Sequence, residues 1–131
     1  MSKDLLNAGT ADTTKLAYIG DAVYEVSVRM KSIEACGRHA VDMNKYTVHY
    51  VKAESQAKAA KGLTDAFYTD EETALFKRAR NRTNTAHPRG CTPAEYKLAT
   101  GFEAVIGWLY ICGDQERLNA VIEKTLEIIG E

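Results

Sequence analysis

The stretch Leu16-Ala17-Tyr18-Ile19-Gly20-Asp21-Ala22-Val23-Tyr24-Glu25 decides the fold of this chain. It has the spacing of a helix, and an apolar stripe runs along it and into the residues that follow. On a helical wheel the stripe consists of Leu16, Ile19, Val23, Val26 and Met30, and Asp21 points almost the opposite way. Gly20 costs a helix about 1 kcal/mol relative to alanine, which predicts that another helix comes close at this point. The neighbouring Asp21 is therefore either a metal ligand or a solvated charge, and the wheel alone does not separate the two.

Length and composition are those of one soluble domain spanning residues 1–131. Hydrophobic residues make up 45% and charged residues 27% of the chain. The sequence contains no apolar run of about 20 residues and no N-terminal signal pattern, so we expect no association with a membrane. The three cysteines are odd in number and widely spaced, which indicates free thiols in a reducing compartment. These features predict a cytoplasmic protein.

The charge is unevenly distributed although the net charge is only −1. The interval 77–97 contains one acid, Glu95, and six basic residues: Lys77, Arg78, Arg80, Arg82, Arg89 and Lys97. The last segment, 114–131, instead has five acids and two bases. This asymmetry, and not the total charge, is the electrostatic indication of a binding surface.

The periodicity predicts an all-α domain of five to seven helices, with no strand alternation. Residues 1–11 are expected to be a mobile lead-in, and residues 82–91 have the composition of an exposed loop. Capping boxes begin helices after Thr69 and Thr92, and Asp114 can cap the last helix. The predicted helices run over about 12–31, 40–61, 70–81 and 93–112 and from 114 to about 129, with a short helical turn over 64–67.

A second acid, Glu103, is embedded in Gly-Phe-Glu-Ala-Val-Ile-Gly (101–107). A glutamate among apolar residues requires a partner, because a charged side chain is costly to bury alone. Gly101 and Gly107 again suggest close helix approach, so the two helices could bring Asp21 and Glu103 together. Two adjacent carboxylates repel, raise a pKa or bind a cation, and oxygen ligands of this kind suit Mg²⁺ or Mn²⁺.

Two motifs resemble those of the ribonuclease III endonuclease domain. Leu-Ala-Tyr-Ile-Gly-Asp-Ala-Val (16–23) is similar to its signature helix, and Phe-Glu-Ala-Val-Ile-Gly (102–107) is similar to its second acidic motif. The intervening Lys-Arg-Ala-Arg-Asn (77–81) and the short length resemble the mini-ribonuclease III subfamily, which lacks a double-stranded-RNA-binding domain. The resemblance covers about residues 12–130.

The resemblance implies an all-helical homodimer that cuts double-stranded RNA with Mg²⁺ and leaves 5′-phosphate and 3′-hydroxyl ends. It places the catalytic and metal-binding roles on Asp21 and Glu103, and it makes Tyr18 a candidate anchor in the dimer interface. The larger ribonuclease III enzymes carry further acids at three positions that the subfamily also leaves without acids. In this chain those positions hold Thr14, Ala17 and Thr100.

The basic segment is the candidate RNA contact, because duplex RNA is recognised mainly through phosphates and 2′-hydroxyls. Ser55 and Gln56 match a further subfamily motif, and Arg38, Lys45 and Lys58 are possible additional contacts. The residues predicted to bind RNA are Lys52, Ser55, Lys77, Arg78, Arg80, Asn81 and Arg82.

The resemblance also implies precursor large-subunit ribosomal RNA as the substrate. Two other readings of the sequence stay open. One is a catalytically inactive RNA-binding or ribosome-assembly factor on the same fold, with Thr14, Ala17 and Thr100 as marks of decay. The other is a helical interaction protein without an RNA role.

Overall fold

Six α-helices form the domain in the computed structural model, which describes residues 3–37, 40–82 and 90–131. A short 3-10 helix (Lys3–Leu5) precedes them, and the described residues contain no strand. The all-α class predicted from the periodicity is therefore confirmed. The helices are α1 (Thr13–Cys36), α2 (Ala40–Val51), α3 (Ala53–Ala66), α4 (Asp70–Arg82), α5 (Pro93–Ile111) and α6 (Gln115–Gly130).

Side-chain caps begin the helices at the predicted positions. The Thr69 hydroxyl accepts from the Glu72 backbone N–H while the Glu72 carboxylate accepts from the Thr69 N–H, and Thr92 and Glu95 form the same reciprocal pair. The Asp114 carboxylate accepts from the Arg117 N–H at the start of α6. Each cap satisfies backbone N–H groups that a helix start leaves without a partner.

The helix predicted over residues 40–61 is in fact two helices, broken at Lys52. Lys52 has extended backbone (φ −62°, ψ 150°), and two α3 side chains bind the carbonyl groups that the break releases. The Ser55 hydroxyl donates to His49 O at 2.6 Å, and Gln56 Nε2 donates to Val51 O at 2.8 Å. Helix α3 then continues through the predicted stop at Gly62 to Ala66. The predicted turn over 64–67 is thus largely the end of α3, and α1 extends five residues beyond the predicted Lys31.

Helix α5 is the centre of the domain, and α1, α3 and α4 all pack against it. Glycines permit this proximity, as the sequence predicted. A Cβ on Gly20 would lie 1.7 Å from Glu103 O, and one on Gly107 would lie 2.0 Å from Leu16 O. A Cβ on Gly101 would lie 2.7 Å from the Phe76 ring. The α1 and α5 backbones therefore touch where the two acids lie.

The buried face of α1 differs from the predicted apolar stripe. Leu16 belongs to both, but Val26 and Met30 are about 60% exposed (61% and 60%). Tyr24 is fully buried instead, because its hydroxyl donates to Tyr50 O at 2.9 Å and its ring packs edge-on against Phe102. The remaining α1 residues on the core side are Thr13, Ala17, Gly20, Val28 and Ser32. Asp21 consequently lies at the margin of the core face, and α1 carries a second, exposed apolar face.

The mobile lead-in was expected over residues 1–11, and its described part, residues 3–11, packs against the domain. Ala8 and Ala11 are buried, and the Arg78 guanidinium donates to Ala11 O at 2.9 Å and to Ala8 O at 2.5 Å. The Trp108 indole donates to Leu6 O at 2.9 Å. Across the described ranges, no helix has the length and apolar character needed to cross a membrane.

Candidate active site

Asp21 and Glu103 line one pocket between α1, α4 and α5, with a volume of about 690 Å³. Asp21 is exposed to solvent, whereas Glu103 is largely buried. The pairing expected from the two motifs is therefore present, and it follows from the glycine contact between α1 and α5. The other residues lining the pocket are Thr13, Thr14, Ala17, Tyr18, Ala79, Arg82, Tyr96 and Thr100.

The pKa of Glu103 is raised to about 8, first by burial and then by the negative charge and hydrogen bonding of Asp21. A hydrogen bond from the Gln56 side chain partly opposes this increase in the pKa. This raised pKa favours the protonated form of the Glu103 carboxyl at neutral pH. A divalent cation between the two would displace this proton, because metal ligands must be deprotonated.

The pocket offers oxygen donors for a cation, although its acids number only two. No group of three or more His, Cys, Asp or Glu side chains that could hold a metal occurs in the described part of the chain. Thr14 and Thr100 line the pocket where the larger enzymes have acids, and the Thr100 hydroxyl donates to Tyr96 O at 2.9 Å. The Oε1 atom of Gln56, on α3, is buried and accepts no hydrogen bond from the described residues. This donor set fits Mg²⁺ or Mn²⁺ holding several waters, since Mg²⁺ is commonly bound through one or two carboxylates.

Most of the predicted RNA-contact residues are accessible. Arg82, the last residue of α4, is exposed and lines the same pocket as the two acids. Lys77 and Asn81 are exposed on α4, and Arg80 is half-buried with its guanidinium donating to Asn81 Oδ1. Lys52 is exposed at the break between α2 and α3. Arg38 and residues 83–89 of the predicted loop lie outside the described residues.

Two of the predicted RNA contacts bind protein groups instead of facing solvent. Ser55 is buried with its hydroxyl on His49 O, and the half-buried Arg78 binds the carbonyls of Ala8 and Ala11. Thr13 and Tyr96 also line the pocket, but the sequence did not indicate them as site residues. Tyr96 precedes Glu103 by seven residues, so the helical repeat alone places both on one side of α5.

The family assignment agrees with this geometry. The ribonuclease III domain family matches residues 14–114. The Mini-ribonuclease 3 of a Thermoanaerobacter species is 39% identical over 116 residues, which are 88% of this chain and 81% of that protein. The Mini-ribonuclease 3 of Symbiobacterium thermophilum is 37% identical over 125 residues, or 95% of each chain. The chain belongs to the mini-ribonuclease III family.

A solved structure supports the same family assignment. The crystal structure of a Fusobacterium nucleatum protein has a TM-score of 0.79 and 31% identity to this chain, covering 88% of this chain and 92% of that one. The ribonuclease III fold expected from the two acidic motifs is therefore confirmed.

Proposed function

We propose that this protein is a Mg²⁺-dependent endoribonuclease that hydrolyses phosphodiester bonds in double-stranded RNA. The observation that carries the proposal is the placement of Asp21 and Glu103 in one solvent-connected pocket, in a chain of the ribonuclease III family. The family resemblance further implies 5′-phosphate and 3′-hydroxyl product ends.

The two acids have different roles in this proposal because their environments differ. Asp21 is exposed and offers a charged carboxylate to an incoming cation, whereas Glu103 must first release its proton. Together the two carboxylates would hold Mg²⁺. The bound cation would activate a water molecule and stabilise negative charge on the phosphate.

The RNA surface that we propose extends from this pocket along α4. Arg82 stands at the pocket wall and would pair with the phosphate backbone next to the cleaved bond. Lys77, Arg80 and Asn81 would contact neighbouring phosphates and 2′-hydroxyls, and Lys52 would extend the surface at the α2–α3 break. We assign Arg78 and Ser55 to stabilising the fold and not to RNA contact, because their polar groups are bound to backbone carbonyls.

A homodimer accounts for the exposed apolar face of α1. Val26, Met30 and Ile33 are each more than half exposed, as is Tyr110 on α5. Beside them lies a mostly apolar groove of about 410 Å³ that includes Ile19, Ala22, Val23 and Leu118. Contiguous exposed apolar surface of this kind marks an interaction site. Tyr18, which lines the acid pocket and is 80% exposed, would anchor the interface.

The cellular substrate that we propose is precursor large-subunit ribosomal RNA, processed in the cytoplasm. This assignment rests on the subfamily resemblance. The three cysteines form no disulfide with one another, in agreement with a reducing compartment. Deletion of the gene should lead to accumulation of unprocessed precursor, and mature 23S ends at normal levels would contradict this substrate.

The reaction is tested by incubating the protein with a perfect RNA duplex in Mg²⁺, in EDTA, and in Mg²⁺ with the separated strands. We expect cuts in the duplex with Mg²⁺ alone, and end-labelling should show 5′-phosphates. Salt-sensitive binding of the duplex without cutting would instead support the inactive RNA-binding factor. The absence of both binding and cutting would favour the helical interaction protein.

A further inference from the structure

Tyr96 stands at the start of α5 and lines the same pocket as Asp21 and Glu103. Its side chain is half-buried. Its backbone is bound on both sides, because the Tyr96 N–H donates to Thr92 O at 3.0 Å and the Thr100 hydroxyl donates to Tyr96 O at 2.9 Å. The capping box that begins at Thr92 fixes this end of α5, so Tyr96 projects into the pocket from a rigid element.

The Tyr96 hydroxyl forms no hydrogen bond with any residue in the described part of the chain. The neighbouring polar groups suit the charged parts of a substrate complex. Asp21 and Glu103 suit a cation, and Arg82 suits a phosphate. A phenol hydroxyl is neutral and can both donate and accept a hydrogen bond. It therefore suits an uncharged polar group of the substrate.

The pocket is larger than a cation alone requires. Its volume is about 690 Å³, whereas a cation with six waters occupies roughly 180 Å³ at about 30 Å³ for each water. Tyr96 precedes Glu103 by seven residues, or about 10.5 Å along the axis of α5. One strand of duplex DNA advances by about 3.4 Å per nucleotide, so this distance corresponds to about three nucleotides. The pocket therefore has room at Tyr96 for a nucleotide close to the cleaved bond.

We propose that Tyr96 is a specificity-determining residue, whose hydroxyl binds the ribose 2′-hydroxyl of a nucleotide close to the cleaved bond and so favours RNA over DNA in the cut strand. The 2′-hydroxyl is the group by which a protein distinguishes RNA from DNA at a given site, and it both donates and accepts as the phenol does. The inference deepens the proposed function and rests on it, since it requires that a strand is cut in this pocket.

Tyr96→Phe tests this contact, because phenylalanine keeps the ring and removes only the hydroxyl. Single-turnover cleavage in Mg²⁺ is measured on an RNA duplex whose cleaved bond has been mapped, and on the same duplex with one 2′-deoxynucleotide at each of about three positions on either side of that bond. We expect Tyr96→Phe to cut the all-RNA duplex about tenfold more slowly, the effect of one lost hydrogen bond. At one position the deoxynucleotide should slow the wild type by the same factor and leave Tyr96→Phe unaffected, because both changes remove the same contact.

Tyr46→Phe is the matched control. Tyr46 is half-buried on α2, packs its ring against Tyr50 and is not among the residues that line this pocket, so cleavage should stay within about twofold of the wild type. Thr14→Val removes another hydroxyl of the same pocket. If the deoxynucleotide penalty vanished in Thr14→Val and persisted in Tyr96→Phe, the inference would be overturned.

The melting temperature of Tyr96→Phe should equal that of the wild type, because the hydroxyl binds no described residue. A wild-type rate of Tyr96→Phe on the all-RNA duplex would contradict the contact. So would a loss that simply adds to the deoxynucleotide penalty at every position. If the wild type cuts the duplex and only the coupling is absent, the proposed function stands without this contact. If the wild type does not cut in Mg²⁺, the proposed function fails and this inference fails with it.

Discussion

Cation binding at the acid pair should be coupled to the release of one proton by Glu103. The pKa of this carboxyl, raised to about 8 by burial and by Asp21, lies above most assay conditions. At pH 7 only about one molecule in ten has Glu103 deprotonated, and at pH 6 about one in a hundred. Because the deprotonated form binds the cation, the apparent affinity for Mn²⁺ should improve roughly tenfold per pH unit between pH 6 and 7.5 and level off above pH 8.

The stability of the cation-free protein should fall as the pH rises, whereas the affinity for the cation should increase. Since the folded-state pKa of Glu103 is raised above its ordinary value of 4.5, the folded protein holds a proton that the unfolded chain has already released. In EDTA the contribution of this group is fully present below about pH 4.5 and is lost as pH rises through about 8. Glu103→Gln is neutral at every pH, so it should remove this decline in stability together with the Mn²⁺ binding.

Calorimetry of Mn²⁺ binding from pH 6 to 8.5, in buffers of different ionisation enthalpy, measures both the affinity and the protons released. We expect about one proton released per cation at pH 6 to 7 and progressively fewer above pH 8. Glu116→Gln, at an exposed glutamate on α6, is the control and should behave as the wild type. An affinity that is flat across this range, or binding without proton release, would refute the assignment of Glu103 as a ligand with a raised pKa.

Three further predictions concern the helix contact, the basic residues and the dimer. Gly20→Ala should lower the free energy of unfolding by about 2 kcal/mol or more in a denaturant titration, because its Cβ overlaps the α5 backbone, whereas Gly130→Ala, with nothing nearer than 3.6 Å, should change it little. Unchanged stability in Gly20→Ala would contradict the close approach. Arg82→Gln should weaken duplex binding and reduce the slope of log affinity against log salt concentration by about 0.9, without loss of stability. Arg78→Met should lower the free energy of unfolding by about 2 kcal/mol and leave the affinity of the folded protein for the RNA duplex unchanged. If Arg78→Met weakened duplex binding and Arg82→Gln lowered only the stability, Arg78 and not Arg82 would be the RNA contact. If the protein is the homodimer that we propose, Val26→Glu should convert it to a monomer in sedimentation equilibrium. A dimer that persists in Val26→Glu would exclude this face of α1 from the interface.

The starts of most helices and the meeting of the two acids could be predicted from the sequence because both depend on local signals. Capping boxes at Thr69 and Thr92 specify helix starts through residues three positions apart. Glycine in a helix interior lowers the stability of the helix. A glycine within an apolar helix therefore predicts that a neighbouring helix approaches too closely for a side chain. Gly20 and Gly107 together therefore located the α1–α5 contact, and with it the site.

The faces of α1 could not be assigned from one chain. Val26 and Met30 follow the helical repeat as well as the buried residues do, because a face that binds a partner has the same 3.6-residue period as a face that binds the core. Tyr24 is buried by a hydrogen bond to Tyr50 O, on a helix 26 residues away in sequence. A contact between such distant residues leaves no local pattern.

The roles of Arg78 and Gln56 were hidden for the same reason. Arg78 stands in a basic run, and its partners, the carbonyls of Ala8 and Ala11, are 70 and 67 residues away. Gln56 acts at a break in a helix whose periodicity appears continuous in the sequence. The carbonyl groups at this break accept hydrogen bonds from the Ser55 and Gln56 side chains. Hydrophobic periodicity does not reveal such side-chain-to-backbone bonds.

The cleavage rate of Asp21→Asn under single-turnover conditions tests the central claim most directly. The protein is held in excess over a labelled RNA duplex in Mg²⁺, and binding of the same duplex is measured separately in EDTA. Loss of the Asp21 carboxylate should reduce the cleavage rate by at least about 10³-fold, because an acid that holds the cation supports all of its chemistry. Binding in EDTA and the melting temperature should stay close to those of the wild type and of Asp65→Asn, an exposed control on α3. Near-normal cleavage by Asp21→Asn would contradict the assignment of the acid pair as the active site.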